Sequence, residues 1–230
     1  TGLNKAFVIT EEQKRQLIEE DSKSAEIIFP YLSGKEIKRY RIEWEGNYLI
    51  FTQRGIDISK YPAIKKHLET FRKKLEPKSS TNKEGRKPGN YKWYEIQDTT
   101  DYWKTFLENG IIYPHFNKFS NFTFSNGNFF PNAKGYQVQS NDYWLVGILN
   151  SKVINFYLKS ICPFVRGGYY EYNSQYMGQV PVSSNTEYRH ELSKSVLILL
   201  KNHKKILFNK IPESEKNEIE KKIISEENKI

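Results

Sequence analysis

Apolar positions in this chain change period several times, and the changes mark out its elements. Residues 142–168, DYWLVGILNSKVINFYLKSICPFVRGG, start as an apolar helix-like run, lose helical character at Pro163 and end in Arg166-Gly167-Gly168. The run reads as a core helix pair broken at Asn150-Ser151, where either side chain can cap the second piece, followed by a basic turn carried to the surface. Ile64, Leu68, Phe71 and Leu75 recur at i, i+4, i+7 and i+11, one stripe of a helix over 61–76 with Pro62 at its first position. Leu192, Val196, Leu199 and Ile206, with His203 on the same stripe, predict a long helix from Glu187 to about Asn209. Pro212 ends it, and a weaker helical pattern follows. Such a stripe requires a partner, either the domain's own core or another subunit.

Shorter patterns fill the gaps between these helices. Ala6–Ile9, YLIFT at 48–52, YKWYEI at 91–96 and IIYPHF at 111–116 read as strands. Thr10 and Gln13 stand at capping-box spacing before a short helix. Asn126-Gly127, inside an alternating Asn/Phe-rich segment, signals a hairpin. Residues 77–90, PKSSTNKEGRKPGN, are the clearest loop, and 98–108 suit a short helix. The resulting class is α+β: mixed small β-sheets with packed helices, followed by C-terminal helices. It divides into a domain over 1–185 and a helical segment, a spacer or dimerisation element, over 186–230.

Composition sharpens this picture in two ways. The hydrophobic share is only 37%, but 16 Tyr, 14 Phe and 4 Trp supply large buried areas, so the chain folds. The net charge of +9 is unevenly placed: residues 61–95 carry ten basic and four acidic side chains, whereas residues 1–60 carry ten of each. A local cationic window points to a polyanionic partner. One cysteine, Cys162, excludes an intramolecular disulfide framework and fits a reducing cytoplasm. No apolar run is long enough to span a membrane. The start at Thr1, with Met177 the one methionine, reads as a piece of a longer protein.

Catalytic chemistry finds little support. The four histidines and one cysteine show no metal-ligand spacing, no Gly-rich phosphate loop precedes a helix, and no Ser elbow or Cys/His pair stands out. Asp21 followed by Glu36-Ile37-Lys38 has the loose Asp…Glu-x-Lys form of a Mg²⁺-dependent nuclease site, a short pattern that arises easily among 63 charged residues. Basic side chains next to aromatics carry more, because Lys and Arg neutralise phosphates while Tyr, Trp and Asn reach or stack on bases. The candidate DNA-binding residues are Lys38, Arg39 and Arg41; Lys73 on the helix; Lys78, Lys83, Arg86, Lys87 and Lys92 in and after the loop; and Lys118 and Arg166. No residue is assigned a catalytic or metal-binding role.

The order of segments adds a resemblance. TGLNKAFVI at the start, EIIFPYLSGKEIKRY (26–40), YPAIKKHLETF (61–71), WYEI (93–96), IIYP (111–114), LVGILNSKVINFYL (145–158) and VRGGYYEY (165–172), with Pro181, resemble the specificity domain of TaqI-like enzymes over about residues 1–182. That domain is the C-terminal target-recognition part of N6-adenine DNA methyltransferases and type IIG restriction-modification enzymes. The resemblance implies a module that reads a short sequence in double-stranded DNA in a prokaryotic cytoplasm. S-adenosylmethionine and the methylation of a flipped adenine then belong to an upstream methyltransferase domain, whose Asn-Pro-Pro-Tyr motif is absent here, and Mg²⁺ to a parent that also cuts. The C-terminal helices resemble the spacers of type I specificity subunits, which implies a helix-mediated dimer or a longer chain if two-part recognition is used. The family does not fix its base-reading positions by motif.

Overall fold

The computed structural model describes residues 1–98, 101–183 and 185–230. In chain order its helices are α1 (Asn4–Phe7), α2 (Glu11–Glu20), α3 (Pro62–Glu69), α4 (Arg72–Leu75), α5 (Tyr143–Asn150), α6 (Lys152–Ile161), α7 (Ser174–Met177), α8 (Arg189–Phe208) and α9 (Glu213–Glu227). The strands are β1 (Val8–Ile9), β2 (Ile28–Leu32), β3 (Ile37–Lys38), β4 (Arg41–Ile42), β5 (Tyr48–Ile50), β6 (Gly110–Pro114), β7 (Phe116–Asn117), β8 (Thr123–Ser125), β9 (Phe130–Pro131), β10 (Gly135–Val138), β11 (Phe164–Val165) and β12 (Tyr169–Glu171). These small sheets and packed helices form the expected α+β class. The chain separates into two compact units, one of Thr1–Tyr31, Glu45–Lys104 and Asn128–Phe130, the other of Leu32–Trp44, Thr105–Gly127 and Pro131–Ile230.

In the first unit, β5 lies between β1 and β2, antiparallel to both, with Val8 opposite Leu49 and Phe29 also opposite Leu49. Thr10 caps α2 as its spacing predicts: its hydroxyl accepts from the Gln13 N–H at 3.3 Å, and the Gln13 side chain accepts from the Thr10 N–H at 3.0 Å. The stripe over 61–76 is buried at Ile64, Leu68 and Leu75, but the helix is interrupted. Thr70 donates its hydroxyl to the His67 carbonyl at 2.7 Å, a local bond that competes with the helical ladder. The chain therefore leaves the α conformation at Phe71 and re-enters it at Arg72.

One further expectation for this unit is corrected. YKWYEI is a set of turns, because its backbone groups are taken up elsewhere: Thr52 Oγ1 donates to the Tyr94 carbonyl, and the Glu95 carboxylate accepts from Gly55 N at 3.0 Å and Lys92 N at 2.9 Å. Loop 77–90 is pinned, with Gly85 so close to the Glu76 carbonyl that a Cβ there would lie 2.2 Å from it. The helix expected over 98–108 is a 3₁₀ helix at Trp103–Leu107, and residues 99 and 100 lie outside the described residues.

The second unit holds a β10-β6-β8 sheet, a β11-β12-β7 sheet and the β3-β4 hairpin. Asn126-Gly127 does not close a hairpin. Gly127, at φ +84, lets the backbone approach the Leu107 carbonyl, where a Cβ would lie 2.4 Å away. The strands on either side, β8 and β9, then join different sheets. The long apolar run breaks at Asn150-Ser151 as expected, and Ser151 caps α6 by accepting from Ile154 N at 3.2 Å.

The C-terminal helices are not a segment apart from residue 186 onward. Val196 and Leu199 of α8 and Ile219 and Ile223 of α9 belong to the same buried cluster as Val146, Leu149, Tyr113 and Phe122. The α8 stripe finds its partner in the domain's own core.

Candidate nucleic-acid interface

Four segments of the second unit converge on an open cleft of about 480 Å³. Its lining comprises Ser33, Gly34, Lys35, Ile37 and Lys38 around the β3 end; Pro114, Phe116, Lys118 and Asn121 after β6; Asn132 and Lys134 before β10; and Tyr169 of β12. Gly34 permits the closest approach, since a Cβ there would stand 2.6 Å from the Lys134 carbonyl. Four ammonium groups, two rings and two side-chain amides therefore face one volume. Lys118 lies over the Tyr169 ring at 4.9 Å and Lys134 over the Phe116 ring at 5.7 Å. Among the described residues no carboxylate forms a salt bridge with Lys38, Lys118 or Lys134. Concentrated positive charge beside rings and amides suits a phosphate chain with bases attached. Arg166 is exposed in the β11–β12 turn, where Gly167 and Gly168 take φ +82 and +83.

The model for the TaqI-like C-terminal specificity domain matches residues 29–182. The chain belongs to that family. Among curated proteins none matches the sequence. Among solved structures, this TaqI-like domain is similar to the type IIL restriction-modification enzyme MmeI in complex with DNA, at 15% identity and a TM-score of 0.59. The likeness covers 98% of this chain and 31% of that one, and at such identity it establishes a shared fold.

Within the TaqI-like domain, the sequence-predicted cations have different fates. Lys38 and Lys118 line the cleft. Lys78, Lys83, Lys87 and Lys92 are exposed on the first unit, as is Lys73, which pairs with Glu84 at 3.2 Å. Arg86 is a correction. It is 4% exposed, and its guanidinium donates to the carbonyls of Leu75, Thr1, Glu95 and Trp93 at 2.7–2.9 Å, so it offers a phosphate nothing. Arg39 and Arg41 are half-buried and internally engaged, Arg39 with Glu227 at 3.5 Å and Arg41 with Glu43 at 2.7 Å. Sequence reasoning missed Lys134, Phe116, Asn121, Asn132 and Tyr169. Each is an ordinary residue in its own segment, and only the fold brings them together.

The nuclease pattern dissolves into capping. Asp21 accepts from Lys23 N at 3.2 Å at the head of a 3₁₀ helix. Glu36, 2% exposed, accepts from Ser33 N at 2.6 Å and from the Ser33 hydroxyl. Among the described residues no group of three or more His, Cys, Asp or Glu could hold a metal ion, and no helix is long and apolar enough to cross a membrane.

His203 of α8 lies near the arginine pair. Burial pushes its pKa down to about 4; the positive charges of Arg41 and Arg39 act in the same direction, and Glu43 opposes them. An unfolded histidine binds its proton near pH 6.5, so the unfolded state takes up the proton first. Stability is then lost as pH falls from about 6.5 towards 4. Discounted for partial solvent access, the loss is on the order of 1 kcal/mol, about 2–4 °C in Tm. His203→Gln is expected to flatten the melting profile over that range by this amount; identical wild-type and variant profiles would show that His203 titrates alike in both states.

Proposed function

We propose that this chain is the sequence-specific duplex-DNA recognition module of a restriction-modification enzyme, positioning a methyltransferase domain carried elsewhere in the parent protein. The lysine-lined cleft carries the reading: Lys38, Lys118 and Lys134 stand beside rings and amides around one volume. Family membership and the fold shared with an enzyme solved on DNA support it. In this division of labour S-adenosylmethionine is bound by the methyltransferase domain, and Mg²⁺ enters where the parent also cleaves. The present chain grips phosphates through Lys38, Lys118 and Lys134 and offers Arg166 at the exposed turn. The setting is the prokaryotic cytoplasm.

Binding of a mixed-sequence duplex, followed by fluorescence anisotropy, should weaken steeply with salt, since each neutralised phosphate contributes about −0.9 to the log–log slope. Lys38→Ala, Lys118→Ala and Lys134→Ala should each reduce that slope by about 1 while weakening all sequences alike. Arg166→Ala should lower affinity without moving the melting temperature. A salt-independent wild type, or a triple lysine variant with the wild-type slope, would remove the cleft from the interface.

A further inference from the structure

Next to the cleft, the second unit exposes a strip of rings interleaved with cations. Phe164 on β11 is 67% exposed, Phe119 in the loop after β7 is 64% exposed and Tyr169 on β12 is 40% exposed. Lys118 lies over Tyr169 on the cleft side of the β11-β12-β7 sheet, and Phe164 meets Tyr170 edge-on at 5.5 Å on its other side, since successive strand residues point to opposite faces. Lys159 of α6 stands 5.8 Å from the Tyr170 ring and 4.5 Å from Phe119. Ser120 N donates to Asn155 Oδ1 at 3.0 Å, fastening the Phe119 loop to α6. Among the described residues Lys118, Lys159 and Arg166 form no salt bridge with a carboxylate.

A single exposed phenyl ring is ordinary. Two of them, held on a short sheet and a tethered loop with Tyr170 and Lys159 between, make a different surface. Lysine is depleted from protein–protein interface cores, where aromatic residues are enriched, so this mixture suits a polyanion that also presents flat apolar faces. Nucleic acid has both features. In an intact duplex the base faces are covered by stacking, and exposed apolar side chains reach them by entering a base step.

We infer that Phe164 and Phe119 insert between base steps, so that the domain unstacks the duplex it holds while Lys159 and Arg166 hold the flanking phosphates. This rests on the duplex-DNA reading above and adds to it a deformation of the DNA, which makes specificity depend on how easily a step opens as well as on base edges.

The test compares, at low salt, one mixed-sequence duplex with the same duplex carrying a single central abasic site, where the unstacking cost has been removed. The wild-type chain should bind the abasic duplex about tenfold more tightly, the size of one base–aromatic stacking contact. The double variant Phe119→Ala/Phe164→Ala should bind both duplexes equally, keeping wild-type affinity for the intact one to within about threefold. Because both rings are exposed, its melting temperature should match the wild type, which verifies that it is folded. Equal wild-type affinities, or a double variant that keeps the abasic preference, would overturn insertion and leave the duplex reading standing. Absent or salt-insensitive wild-type binding to either duplex would overturn both.

Discussion

Arg86→Ala is expected to destabilise the first unit by about 3–5 kcal/mol, the range for removing one partner of a buried charged hydrogen-bond network. The side chain spans four carbonyls from three parts of the chain: Thr1 at the start, Leu75 at the end of α4, and Trp93 and Glu95 in the turn that follows the loop. Four of the five N–H donors of a guanidinium are thereby occupied. Its plane is also packed, with the Tyr91 ring at 4.5 Å and the Phe7 ring at 5.5 Å. Alanine leaves the four oxygens without this donor, and the Leu75 and Glu95 contacts are fully buried. Lysine offers three donors from a single point and does not span them, so Arg86→Lys should recover only part of the loss. Thermal melting should show a fall on the order of 10 °C for alanine. Unchanged melting together with weakened DNA binding would instead return Arg86 to the phosphate-contacting set that its place in a basic loop first indicates.

The same residue shows where sequence reading runs out. Elements governed by neighbours were legible: the Thr10–Gln13 capping box, Pro62 at the start of α3, and the break at Asn150-Ser151 all depend on groups within about a turn of helix. Arg86 looked like its lysine neighbours because nothing local distinguishes it; its partner at Thr1 is 85 positions away. The YKWYEI segment failed as a strand for the matching reason, with strand-like side chains but carbonyls already claimed by Arg86 and Thr52. The cleft was half legible. Charge and aromatic neighbours pointed to Lys38 and Lys118, whereas Lys134, alone in its turn, joins them only because Gly34 lets two backbones approach. Net charge in the 61–95 window located a cationic surface on the first unit, but not the lysine-lined cleft on the second.

The second large effect is expected at Asn150, where the long apolar run breaks. The residue is 2% exposed, and its amide pairs with the backbone of Phe122 in both directions: Nδ2 donates to the carbonyl at 2.8 Å, and Oδ1 accepts from the N–H at 3.0 Å. The Phe122 carbonyl also accepts from Tyr40 N at 3.1 Å. Tyr40 occupies the tight β3–β4 turn at φ +60, a conformation unfavourable for a bulky residue. One amide thus ties the end of α5 to the loop before β8 and, through the shared carbonyl, to the hairpin carrying Lys38. Asn150→Ala exposes no new surface to water, leaves Phe122 N without an acceptor and deprives its carbonyl of one donor; the expected cost is about 2–4 kcal/mol. Asn150→Asp keeps the acceptor but sets an ionised carboxylate against the Phe122 carbonyl, so at neutral pH it should destabilise at least as much as alanine. Protonation restores a donor. The aspartate's folded-state pKa is then raised above its unfolded value, and its penalty relative to alanine should shrink as pH falls towards 4. Melting curves of both variants at neutral and mildly acidic pH distinguish this from a simple volume effect, for which the two would keep a constant gap. Because the Phe122 bond supports the hairpin, the alanine variant should also bind duplex DNA more weakly at temperatures well below its own melting transition; full affinity there would show that Lys38 is held by β3 and β4 alone.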